Sequence, residues 1–146
     1  MLCLSLKLSL PIPKDFYEQF KNDPEAARRA AFQIGKEMSQ VLRKKNDIKG
    51  KDLEAVAKLL NAFMITMSCY PSAKVDGNKV TLINSGFCAM MRAAMTLNIP
   101  WEWLDTNYAW PALHGMASTV IPDIKIRVPS ARCRGDPACI HIFEIE

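Results

Sequence analysis

The sequence predicts an α+β fold, with N-terminal antiparallel helices packed on a small antiparallel sheet, inserted helices and a C-terminal β-hairpin. Three observations predict it. Apolar residues in the first half recur at spacings of three and four, the signature of amphipathic helices. Two short extended runs flank Asp76-Gly77-Asn78. Near the C-terminus Ile124, Ile126 and Val128 alternate with Asp123, Lys125 and Arg127, the period of a half-buried strand.

The chain has 146 residues, 49% hydrophobic and 23% charged. This suits one domain over 1–146 with a substantial core, and excludes a disordered chain, a collagen or a coiled-coil rod. Residues 1–70 should form a mainly helical layer, and 71–146 a ligand-pocket half holding the sheet. The longest apolar run, Ala62 to Tyr70, is under half a membrane span, so no membrane partner is expected. Leucine alternates with smaller or polar residues over the first ten positions, which reads as a strand rather than a secretory signal, and a cytoplasmic protein is expected. Net charge is +4, with basic residues scattered apart from Arg43-Lys44-Lys45. That run reads as a solvated helix end, and no nucleic-acid partner is expected.

Each element has a local reason. A short helical stretch spans Asp15 to Phe20. Asp23-Pro24-Glu25 then supplies an N-cap acid, a proline in the first turn and an acid after it, which starts a helix. Ala27, Ala30, Ala31, Ile34, Met38, Val41 and Leu42 give it one apolar face, and it should stop near Lys45. After Gly50 a second helix carries Leu53, Val56, Leu59, Leu60, Phe63, Met64 and Met67, joined closely enough to pack antiparallel on the first. Pro71 blocks further helix, and a hairpin with Asp-Gly at its turn follows. Phe87 to Leu97 reads as a short helix with Cys88, Met91 and Met95 inward. Pro111 to Val120 reads as another, in which Gly115 allows a close approach. The C-terminal hairpin should turn at Arg134-Gly135-Asp136-Pro137.

Trp101, Trp103, Tyr108 and Trp110 fall within ten residues and include every tryptophan of the chain. Rigid aromatic walls of this kind suit an apolar ligand cavity, an interface or a core plug. Eight methionines favour an adaptable cavity. Tyr108, His114 and Asn84 are the polar groups nominated to orient a ligand. Glu102 and Asp105, three apart, read as exposed carboxylates at a helix start rather than an acid–base pair. The five cysteines are an odd number without a CxxC motif, so no disulfide framework is expected. Cys3, Cys69 and Cys88 read as reduced core residues. If the last hairpin pivots on Asp136, Cys133 and Cys139 face each other about 5 Å apart. His141, two residues on, would share that face, making Cys133, Cys139 and His141 a candidate zinc set. A half-residue shift would instead pair Arg132 with Cys139.

From about Val80 to Glu146 the chain resembles the 4-vinyl reductase-like, or hydrocarbon-binding, domain. A strand ends in Asn84-Ser85-Gly86-Phe87-Cys88, similar to the family's Asn-Cys-Pro-Phe approach to a helix. A Gly115-bearing helix follows the aromatic segment, and Gly135-Asp136-Pro137-Ala138-Cys139 leads to a last strand ending Ile142-Phe143-Glu144. The closing pattern is also similar to L-2-amino-thiazoline-4-carboxylic acid hydrolase-like proteins. The first resemblance implies a single domain of that family, a helical layer and short sheet around an apolar pocket, a homodimer, and in some members zinc. Cys139 matches the last family cysteine, whereas Val128, Ala131 and Ala109 stand where other family ligands fall. Either the metal is absent or Cys133 and a histidine substitute.

The leading expectation is therefore binding of a small apolar or aromatic molecule through Trp101, Trp103, Tyr108, Trp110, His114 and Asn84, as a sensor or carrier. The alternative is a hydrolase of a cyclic amide or thiazoline. Cys88 would then be the nucleophile, activated by its place at a helix start, and His114 the base.

Overall fold

The computed structural model describes residues 13–146. The N-terminal run read as a strand, with Cys3, lies outside the described residues. The fold is α+β, and the chain follows its capping signals closely. After α1 (Pro13–Phe20), helix α2 (Pro24–Lys45) begins where Asp23 accepts the Ala26 N–H at 3.1 Å. Helix α3 (Leu53–Thr66) begins where Asp52 accepts the Ala55 N–H at 3.0 Å. Each cap satisfies one of the amides a helix start leaves unpaired, worth about 1 kcal/mol. At the other end of α2, Lys44 and Lys45 are exposed as expected. Arg43 instead donates to the Gly50 carbonyl at 2.9 Å and so fastens the link to α3.

The hairpin forms as β1 (Lys74–Asp76) and β2 (Lys79–Asn84). Asp76 pairs with Lys79, so the two turn residues are Gly77 and Asn78 rather than Asp76 and Gly77. Gly77 supplies the positive φ, +60°, that such a tight turn requires. Asn61 of α3 pins the start of the hairpin, donating to the Ala73 carbonyl and accepting its N–H.

Helix α4 (Ala89–Leu97) ends at Asn98, which takes the left-handed conformation. Its inward stripe is Met90, Ala93, Ala94 and Leu97. Met95, expected inward, is 75% exposed, and Met91 is half-buried. The helix is phased by its cap at Cys88, which turns the 90/93/94/97 spacing toward the core.

The tryptophan segment is itself helical. Helix α5 (Trp101–Leu104) runs into a π-helical turn (Asp105–Ala109) and on into α6 (Trp110–Ser118). The π turn lies directly before Pro111, which has no N–H to continue an α-helical ladder. The sheet is completed by β3 (Lys125–Ser130) and β4 (Cys139–Glu144), in the antiparallel order β1-β2-β4-β3. Pro129 is tolerated because β3 is an edge strand, and the register is irregular between Arg127 and Ser130. The connection is longer than the expected four-residue turn and includes a 3-10 turn at Arg132–Arg134.

The helical layer is drawn from both halves of the chain. Helix α2 packs most extensively on α6, not on α3 as expected. Glycines permit this: a Cβ on Gly35 would stand 1.9 Å from the Ala112 carbonyl oxygen, and one on Gly115 would stand 2.0 Å from the Phe32 carbonyl oxygen. The close approach expected at Gly115 is therefore to α2. One core joins Leu42, Leu59, Leu60, Leu82, Met116 and Phe143, all fully buried. Each such side chain contributes about 1.5–3 kcal/mol of hydrophobic burial. A second core gathers Phe16, Ala31, Ala94, Ile99, Leu104 and Tyr108. Among the described residues no helix is long and apolar enough to cross a membrane.

Candidate functional site

Between the sheet and the helices lies a cavity of about 90 Å³, several times what one water molecule needs. The inner face of the sheet forms one wall. Leu82 pairs with His141 and Asn84 with Cys139, so these four side chains form a block on adjacent strands. Period-two alternation explains why Cys139 and His141 point the same way. Met38 of α2, Met64 and Phe63 of α3, and Met67 just beyond it form the opposite side. Met90, Tyr108, Trp110 and Leu113 close the rest. Four flexible thioethers give an apolar wall that can adapt its shape.

Few polar groups interrupt this lining. Asn84 is buried and turned back on its own loop, its amide donating to the Phe87 carbonyl and its oxygen accepting the Gly86 N–H. His141 is 7% exposed, and its Nδ1 has no hydrogen-bond partner. Burial lowers its pKa to about 4, partly offset by the nearby Leu82 carbonyl, so the ring is neutral. Asp105 also lines the cavity and is 4% exposed. Burial raises its pKa to about 6, against the lowering influence of the Cys133 thiol and the Trp101 indole. The Trp101 Nε1 is itself buried and unpartnered.

Asp105 overturns the expectation of an exposed carboxylate. Glu102 is exposed and pairs with Arg134 at 3.2 Å, while Asp105 turns inward. Asp105 stands where α5 passes into the π turn, on the side of the helix that meets the cavity, while Glu102 three residues earlier faces solvent.

The expected site residues divide. Asn84, Tyr108 and Trp110 line the cavity. Trp101 and Trp103 pack instead against the second core, where the Trp103 ring meets Tyr17 edge-on at 4.9 Å. His114 opens into a separate cleft with Arg28, Arg29 and Phe32, and its Nε2 lies 2.9 Å from the Ile124 carbonyl. Cys88 lines the main cavity and caps α4, its sulfur accepting the Met91 N–H at 3.4 Å. Cys88 and His114 thus belong to different cavities. Burial pushes the Cys88 thiol pKa up, outweighing the Met91 amide, which is the reverse of the expected activation.

The cross-strand pairing of Cys133 with Cys139 does not form. Cys133 lies in the 3-10 turn, beyond the last ladder pair, Ser130 with Ile140. The Arg132 N–H meets the Cys139 sulfur instead, at 3.3 Å. Cys133, Cys139 and His141 do not make a three-ligand set: among the described residues no three His, Cys, Asp or Glu form a group that could hold a metal ion. Burial, then the negative charge of Asp105, pushes the Cys133 thiol up to about 12.

Fold and site together define an α+β protein with an apolar cavity between a four-stranded sheet and its helices. No protein-family model matches the chain, and no curated protein matches it.

Proposed function

We propose that this protein binds a small, mainly apolar or aromatic molecule in the cavity between the sheet and the helices, as a sensor or carrier. The observation that carries the reading is the lining itself: methionines, aromatics and aliphatics around a space of about 90 Å³, with few polar groups. Burial of apolar ligand surface supplies about 25 cal/mol per Å² before ordering costs. The resemblance of residues 80–146 to hydrocarbon-binding domains supports the same reading. It adds a homodimer, which light scattering during gel filtration reads directly.

The test is native mass spectrometry of the purified protein, followed by toluene and benzyl alcohol titrations read by Trp fluorescence. An organic species released on denaturation, or saturable binding of these probes, is the expected result. Ala109→Phe, which places a ring into the cavity wall, should abolish binding while the far-ultraviolet circular dichroism stays native. If wild-type protein carries no ligand and binds no apolar probe at millimolar concentration, the reading fails.

A further inference from the structure

We infer that the cavity selects ligands carrying a cationic amine on an apolar or aromatic body, with Asp105 as the counter-ion. This deepens the reading proposed above and rests on it. Among the described residues, Asp105 is the one Asp, Glu, Lys or Arg side chain lining the cavity. It takes part in none of the four ion pairs among the described residues. A carboxylate 4% exposed and without a cation is costly, and proteins normally pair such a group. An ammonium group entering the cavity supplies that missing pair.

A second observation points the same way. The unpartnered Nδ1 of His141, on the β4 wall of the same cavity, belongs to a neutral ring that can accept a hydrogen bond. Asp105 and His141 therefore offer acceptor capacity to a multiply donating headgroup. Cys88, Cys133 and Cys139, the other titratable groups near Asp105, are thiols whose pKa values burial raises. They remain protonated near neutral pH and bring no competing positive charge. A carboxylate ligand, by contrast, would meet Asp105 with like charge.

The experiment compares benzylamine with benzyl alcohol, toluene and benzoate by calorimetry at pH 7.5, in wild type and in Asp105→Asn. Benzylamine should bind at least tenfold tighter than benzyl alcohol, and benzoate should not bind. Asp105→Asn should erase the amine preference, so that benzylamine binds no tighter than benzyl alcohol. If toluene and benzyl alcohol bind as well as benzylamine, the inference is overturned while the apolar-cavity reading stands. If no probe binds, both fail. The wild-type ranking decides the matter even if the variant does not fold.

Discussion

Gly115→Ala is the sharpest test of how the helices define the cavity. The added Cβ would stand 2.0 Å from the Phe32 carbonyl oxygen and 2.9 Å from its carbon. Ordinary contact begins at 3.4 Å, so α2 and α6 would have to part by about 1.4 Å. The obstacle is backbone, which cannot rotate away as a side chain would. Overpacking of this kind costs about 3 kcal/mol. Alanine recovers up to about 1 kcal/mol through helix propensity. The net loss is about 2 kcal/mol, or a fall in Tm of roughly 5–10 °C for a chain of this size. Urea unfolding followed by circular dichroism measures it. Gly86→Ala is the control, because a Cβ there meets nothing within 4 Å, and it should be near neutral. Gly35→Ala should resemble Gly115→Ala, and the double variant should lose less than the sum, since one separation relieves both clashes. A Gly115→Ala protein as stable as wild type would refute the close crossing and the cavity shape that depends on it.

Three further predictions concern the buried groups. The folded pKa of Asp105 is raised to about 6, so its ionisation costs stability as pH rises from about 4 to 6, by up to about 3 kcal/mol. Asp105→Asn should therefore be more stable than wild type at pH 7.5, and that advantage should shrink by pH 4.5; a gap independent of pH would refute the burial. His141 acts with the opposite sign: its folded pKa is lowered to about 4, so stability falls as pH drops from 6.5 to 4. The two slopes oppose each other in wild type, so Asp105→Asn should show a steeper acid loss than wild type between pH 6 and 4, and the His141 ring should keep neutral NMR shifts down to about pH 5. Cys133, half-exposed but held protonated by burial and by Asp105, should react with iodoacetamide at pH 8 more slowly than in urea, and Asp105→Asn should speed it. Mass spectrometry of the alkylated peptide reads the rate, and equal rates in the two proteins would remove Asp105 from its surroundings.

Residue chemistry acting over one or two turns was legible in the sequence. Asp23 announces its helix because a side-chain oxygen satisfies an amide three residues on. Gly77 announces its turn through the positive φ it alone accepts cheaply. The alternation along β4 placed Cys139 and His141 on one side, and both line the cavity. Asn84, Tyr108 and Trp110, polar or aromatic groups beside apolar runs, line the cavity.

What lay beyond this reach depended on phase and on distant partners. Asp105 is a buried cavity acid rather than a surface neighbour of Glu102 because the sheet and the other helices enclose its side of the helix. The 3-10 turn takes Cys133 out of the ladder that would have set it opposite Cys139. Trp101 and Trp103 face the second core because α1 and α4 cover them, a contact between segments far apart in the chain. Composition, caps, turns and periodicity thus determined the elements and the fold class, since each depends on interactions within a few residues. Tertiary structure alone decided which carboxylate is buried, which thiols approach each other and which aromatics line the cavity, because those follow from how whole elements are phased and packed.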